Sequence, residues 1–529
     1  MGITKIYPTF DQAGRANYQL VSQPKDCGST QQCIVYPEKV IPVIFVPGVM
    51  GSNLKSNQND EYESVWNLDS TWSILSSWIT AGPQKRKEKL NPVSTEVDDG
   101  GKVDDKDELF LLQTRRERGW GSVAYTSYSS FLNWLQDTLN DFDNMEHGER
   151  IRLLKSQLDV EAGDVSVQPA EVALTYGYIF PVFAVGYNWL QSNADSAQYL
   201  ADKITDIINF YQSKNRQCEK VILVTHSMGG LVARHYTQVL EGEQHVLGVL
   251  HGVLPALGAA AAYRRMKAGT EYASWSLTGW LTSKVLGGDT AAMTAVLAQS
   301  AGPLQLLPGK EYGNYWLRIL DGQHVTAYPT ADPYEEIYLQ RDKWWGLCED
   351  QFINPGKNGD QQQRDNDWQS FSEIIDDQVS SFIENLAGKY HSTTYAFYGA
   401  TAAHLAYGEV CWQAQTSWFN FGKSQEQHLT PGDALALDKT ENGTTRGVTT
   451  PSEAGKWVKQ TYEIQAPEEP GDGTVPLRSG RIADHFLQAR YQVEVDHESA
   501  YQNSDAQQFT LRALVKIIQQ VQHTTLADL

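Results

Sequence analysis

Compact apolar runs alternate with helix-period stretches along the middle of this chain. At Pro42 to Val46 the run PVIFV stops at Pro47-Gly48, the pattern of a buried strand ending in a turn. TYGYIFPVFAVGY, residues 175–187, reads as strand material, and Leu200, Ile204, Ile207, Ile208 and Tyr211 then fall on one helix face. VILVT, residues 221–225, is fit for a strand covered on both faces. After a turn at 226–229, Leu231, Val232, Tyr236, Val239 and Leu240 mark the inward side of a second helix, and HVLGVLHGV is again a strand. Strand, helix, strand, helix, strand in short order predicts parallel pairing with right-handed crossovers. STTYAFYGAT (392–401) and YQVEV (491–495) read as late strands, and Leu514, Ile517, Ile518 and Val521 as a closing helix. The fold class is α/β, a mostly parallel sheet flanked by helices; no internal repeat is visible.

Between these elements the chain is polar or small-residue-rich. Residues 1–38 read as an extension, 39–254 as the first part of the core with an insertion at 55–125, and 391–529 as its second part with an insertion at 412–468. Residues 255–390 divide in two. ALGAAAAYRRMKAG, SWSLTGWLTSKVLGG and TAAMTAVLAQSAGPLQLLPG are apolar helical pieces, either ordinary core helices or a mobile cap whose inner face covers a lipid-binding cleft. Residues 325–390, with the Trp344-Trp345 pair, and 412–468 look peripheral.

With 529 residues, 20% charged, 41% hydrophobic and 11% aromatic, the composition excludes a disordered, collagen-like or coiled-coil chain. The net charge of −21 repels nucleic acid and does not favour anionic lipid, so membrane contact must rest on local apolar surface. The five cysteines are too scattered for a disulfide scaffold or a zinc-ligand pattern; Cys27 and Cys33 are either a pair or two idle thiols. No secretory signal peptide and no membrane span stand out. The acidic run VDDGGKVDDKDEL lacks the alternation of an EF-hand loop and reads as a solvated turn; no cofactor is required, and a structural calcium ion stays open.

The segment VILVTHSMGGLVAR sets Ser227 between a β-branched strand and a helix. A strand turning sharply into a helix exposes the intervening serine at the sheet's C-terminal edge, and small neighbours are required there. The Gly-x-Ser-x-Gly pattern reads here Thr225-His226-Ser227-Met228-Gly229, a branched residue replacing the first glycine. A serine hydroxyl needs a histidine base and an acid that orients it, in chain order Ser, Asp or Glu, His. Asp472, in the turn of EEPGDGTVPLRSG, is the expected acid, with Asp484 and Glu494 behind it. His497, where YQVEV ends before the closing helix, is the expected base, while His226, His235 and His251 have duller explanations. Acyl transfer also needs two amides for the oxyanion, expected from Met228 and from Val49 in PVIFVPGVMGSNL.

These residues resemble the α/β-hydrolase superfamily, and within it the lipase branch of lecithin:cholesterol acyltransferase-like and PGAP1-like enzymes. The resemblance rests on PVIFVPGVMGSNL, VGYNWLQSNADSAQYL, VTHSMGGLVAR, SAGPLQLLPG and GDGTVPL with the late His497, in family order over 41–497. HGVLPALGAAAAYRRMKAG is similar to a segment of bacterial lipase effectors delivered by type VI secretion. That likeness implies a phospholipase acting on a rival cell's membrane, made in the cytoplasm, exported to the target periplasm without a cleavable signal, and partnered by an immunity protein and a spike or adaptor protein. A cytoplasmic carboxylesterase or acyltransferase, and a non-catalytic binding protein on the same scaffold, are the alternatives.

Overall fold

The computed structural model describes residues 3–527 apart from 12, 23, 25–27, 59–61, 68–77, 79–80, 105–111, 143–145, 271–288, 322–323, 358, 416–434, 438–442 and 452–456. Its central sheet is built from β1 (Val43–Val46), β2 (Ala162–Gly163), β3 (Val182–Ala184), β4 (Val221–His226), β5 (Val246–Gly252), β6 (Thr394–Gly399) and β7 (Ala489–Val493). The spatial order is β3-β1-β4-β5-β6-β7-β2. Every neighbour pair is parallel except β2 on β7.

Successive residues of the inner strands enter opposite cores, which is why their sequences run apolar without alternation. Ile44, Val46, Val221 and Leu223 pack with Leu200, Ile204, Leu231 and Val232, carried by α2 (Asn193–Ser213) and α3 (Gly229–Gln238). Val43, Phe45, Ile222 and Val224 pack on the other face with Phe131 and Leu135 of α1 (Tyr125–Leu139) and with Leu514 and Ile517 of the closing helix Ser504–Ile518.

Two sequence readings shift at their edges. β3 has only three residues because Pro181 offers no N–H to a ladder, so regular pairing begins at Val182. α3 ends at Gln238, which leaves Val239 beyond its last turn and Leu240 exposed rather than inward. In the 55–125 insertion, Leu54–Ser56 pairs antiparallel with both Ser64–Trp66 and Thr95–Val97. Trp66 anchors this small sheet to the core, edge-on to Trp189 at 5.3 Å. Cys27 and the last five residues of the acidic run, 105–109, lie outside the described residues, so neither the Cys27–Cys33 pairing nor the end of that run is described.

The segments 325–390 and 412–468, read as peripheral, contribute to a body of their own outside the central sheet. A second sheet, in the order His324–Tyr328, Leu317–Asp321, Val410–Ala414, Trp457–Ile464, Thr445–Pro451, Leu435–Leu437, joins segments more than a hundred residues apart. Beneath it lies a third apolar core holding Trp316, Trp344, Trp345, Trp412 and Tyr462, all buried. Trp344 stacks on Tyr462 at 4.7 Å and meets Trp412 edge-on at 5.4 Å. Each segment alone is polar on average; its few large aromatics find one another only across the fold. The same core takes in Tyr263 and Met266 from α4 (Ala260–Ala268), so this body and the expected cap are continuous. α5 (Thr290–Leu297) follows, and residues 271–288, in the middle of the expected cap, are outside the described residues. No helix among the described residues is long and apolar enough to cross a membrane.

Trp412→Ala should lower stability by about 3–5 kcal/mol, the cost of removing a large buried aromatic, read as an earlier denaturation midpoint. Val325→Ala, at an exposed position of the same sheet, should stay within about 0.5 kcal/mol of wild type.

Candidate active site

β4 delivers the chain to His226, and a single residue in left-handed geometry, Ser227 with φ 52°, reverses it into α3. That conformation is strained for any residue with a Cβ and is held by its surroundings. The Ser227 amide bonds Gly252 O at 2.9 Å, tying the turn to β5. Gly229 packs straight onto the end of β1: a Cβ there would stand 2.4 Å from Pro47 O and 2.5 Å from Val46 O. The branched residue at 225 is accommodated, because Thr225 is fully buried and its hydroxyl meets His251 Nδ1 at 2.8 Å. Gly230 leaves it room, since a Cβ there would lie 3.2 Å from Thr225 Oγ1.

Ser227, His497 and Asp472 come together. His497 Nε2 is 2.9 Å from Ser227 Oγ, and His497 Nδ1 is 2.7 Å from Asp472 Oδ2. A carboxylate can only accept, so Nδ1 carries the proton and Nε2 faces the serine with its lone pair. Asp472 is almost wholly buried, and its second oxygen accepts from the amides of Thr474 at 2.9 Å and Val475 at 2.7 Å. The positive φ of Gly473, 88°, folds the turn back for those bonds. The backbone repeats the pairing, with the His497 amide on Asp472 O at 2.9 Å.

The weaker acid candidates fall elsewhere. Asp484 is exposed and pairs with Arg490 at 2.6 Å, and Glu494 is exposed after the end of β7. His235 stacks on Phe382 and His251 supports Thr225. Of the two expected oxyanion donors, Val49 lines the cavity beside Ser227, and Met228 follows the serine with its side chain buried. Neither amide finds an acceptor among the described residues. Gly48 brings the Val49 loop in close: a Cβ on it would lie 3.0 Å from Ser227 Cβ.

Two residues were passed over by sequence reasoning. His226 Nε2 meets His497 O at 2.8 Å, and a carbonyl only accepts, so this nitrogen bears the proton. Nδ1 is then the acceptor for the Tyr128 hydroxyl at 3.0 Å, and that hydroxyl accepts from the Gly48 amide at 3.3 Å. One buried chain of hydrogen bonds thus joins the Val49 loop to the His497 loop through the residue before the nucleophile. It requires a neutral imidazole, and burial, reinforced by His497, pushes the His226 pKa down to about 3. Tyr128 is one more apolar-period position on α1, and nothing local marks it.

Ser227 and His497 open on a cavity of about 370 Å³, with Asp472 buried behind them. Its far wall is the expected cap: Ala259, Ala262 and Met266 around α4, Met293 and Leu297 of α5, and Leu304 and Leu307 beyond. Trp189 closes it from the core side. The site is an activated hydroxyl facing an apolar chamber, suited to acyl transfer from a ligand with a hydrocarbon chain. Among the described residues no group of three or more His, Cys, Asp or Glu is arranged to hold a metal ion.

A family model for the PGAP1-like alpha/beta domain matches residues 188–255, the stretch from the start of α2 through the elbow to β5. No curated protein matches the chain. Among solved structures, one described as the crystal structure of the Tle4-Tli4 complex is similar at 30% identity, over 90% of this chain and 98% of the other, with a TM-score of 0.71. The chain belongs to the Tle4 family. It is therefore an α/β-hydrolase-fold protein of the PGAP1-like lipase branch, similar to type VI lipase effectors. In this Tle4-family chain the matched region includes the turn that carries Ser227.

Gly229→Ala should force the elbow off the β1 carbonyls, so fluorophosphonate labelling of Ser227 should fall sharply in protein that remains folded by circular dichroism. The buried histidines set an acid limit as well. His226 and His251 are held down to about 3, and His235 to about 4, in each case first by burial, from an ordinary 6.5. The unfolded chain therefore binds protons below pH 6.5 that the folded one refuses, and stability present above 6.5 is lost as pH falls toward 3–4. Melting temperatures taken from pH 8 downward should start to fall near 6.5, before the carboxylates titrate.

Proposed function

We propose that this chain is a serine lipase of phospholipase A type, hydrolysing fatty acyl esters of glycerophospholipids. The single observation behind the reading is the hydrogen-bonded series Asp472–His497–Ser227 opening on an apolar chamber. His497 Nε2 takes the Ser227 proton as Oγ attacks the ester carbonyl, while Asp472 holds Nδ1–H and stabilises the imidazolium that forms. The Met228 and Val49 amides receive the oxyanion, each contributing about 3 kcal/mol to the transition state. His497 returns its proton to the departing glyceryl oxygen. Water, deprotonated by the same imidazole, then releases the fatty acid.

The Tle4 kinship supports the wider setting: an antibacterial effector exported by a type VI system, carried by a spike or adaptor protein and acting in the target-cell periplasm on the membrane surface. The solved relative is a complex of Tle4 with Tli4, and a Tli4-like immunity protein is the corresponding partner here.

Ser227→Ala should reduce fatty-acid and lysophospholipid release from vesicles by about 10⁵-fold or more, and Asp472→Asn by about 10⁴-fold, measured by mass spectrometry of the products. Wild-type protein that turns over short soluble esters but never bilayer lipid would overturn the phospholipase reading and leave an esterase.

A further inference from the structure

The chamber's apolar walls also carry a few charged side chains. Among the described residues lining it, Arg265 is the only Lys or Arg, and the acids are Asp496 and Glu498 beside His497. Arg265 lies on α4 and reaches across to the acid loop, where an Nη hydrogen donates to Thr474 Oγ1 at 3.1 Å. A threonine hydroxyl that accepts still has its own proton to give, and no acceptor for it stands among the described residues. Gly473, next in the loop, is exposed, and the space beside its Cα is open. A guanidinium and a hydroxyl donor therefore sit together where the acid loop meets the cavity.

We propose that Arg265 and Thr474 form a subsite for the anionic phosphate of a glycerolipid headgroup, a proposal that rests on the phospholipase reading above. A planar guanidinium presents several N–H groups in a fork matched to phosphate oxygens, and charge-assisted bonds of this kind are roughly twice as strong as neutral ones. Asp496 and Glu498 repel the same group, so the phosphate has one favourable side of the chamber. The ester and the phosphate share one glycerol. A phosphate held by Arg265 while Ser227 attacks the ester leaves the apolar wall of Met293, Leu297 and Leu304 for the acyl chain. Because Thr474 also donates its amide to Asp472, the subsite and the acid of the relay occupy the same turn.

The test compares dioleoyl phosphatidylglycerol with dioleoylglycerol, the same chains without a phosphate, in detergent mixed micelles. Arg265→Gln should lower the ratio of kcat/KM for phospholipid over diacylglycerol by about 10- to 100-fold, the range of a charged hydrogen bond. The loss should lie mainly in KM; Arg265→Lys should restore part of the ratio, and Thr474→Val should lower it less. Glycerol 3-phosphate should inhibit diacylglycerol hydrolysis by the wild type and lose that effect in Arg265→Gln. An unchanged ratio with equal losses on both lipids would mean that Arg265 merely braces the Asp472 turn, and would overturn the subsite. Wild-type protein that cleaves diacylglycerol but no phospholipid would instead overturn the phospholipase reading, and the glycerol 3-phosphate competition would still decide the subsite.

Discussion

The functional end of this molecule depends on one close contact, the bare Cα of Gly229 against the carbonyls that end β1. It places the start of α3 on the Pro47–Gly48 turn and so puts two loops from distant stretches of chain on either side of one hydroxyl. Each amide expected to hold an oxyanion belongs to one of those loops. The strain of a left-handed serine is tolerated because the turn is pinned from three sides: by Gly252 O, by the β1 carbonyls and by the Thr225–His251 pair beneath it. A branched residue at 225 is then no obstacle; its hydroxyl replaces empty space with a hydrogen bond, and Gly230 supplies the room.

The histidine loop is positioned by a set of buried hydrogen bonds. Asp472 holds the imidazole through Nδ1 and also, by its own carbonyl, the His497 amide. His226 holds the His497 carbonyl, and Tyr128 links His226 to Gly48. A protonated His226 could not accept from Tyr128, so burial keeps the relay intact across the physiological range. The Ser227 turn, the His497 loop and the Val49 loop therefore share one hydrogen-bonded frame, the kind of preorganisation that the proposed acyl transfer needs.

Over this frame lies the second body, which gives an acidic chain an apolar interior. The chain as a whole carries −21, yet the chamber wall facing Ser227 is largely alanine, methionine and leucine, and its charged residues among those described are Arg265, Asp496 and Glu498. The field of the protein disfavours an anionic membrane, so affinity for a lipid must come from burying its chain rather than from long-range attraction.

Much of the core was legible along the chain. PVIFV, VILVT, HVLGVLHGV and STTYAFYGAT are apolar throughout because strands covered on both faces need no polar side, and the period of Leu200 to Tyr211 marks α2 for the same local reason. Ser227, Asp472 and His497 could be named because strand-end position and chain order constrain a triad without coordinates. The aromatic core of the second body could not be read, since Trp316, Trp344, Trp412 and Tyr462 lie in segments whose local averages are polar. Nor could the Tyr128–His226–His497 chain, since each member is unremarkable alone. Periodicity and turn chemistry act over a few residues and are written in the sequence; which distant side chains meet is set by the crossing of elements, and that is decided only when the chain packs.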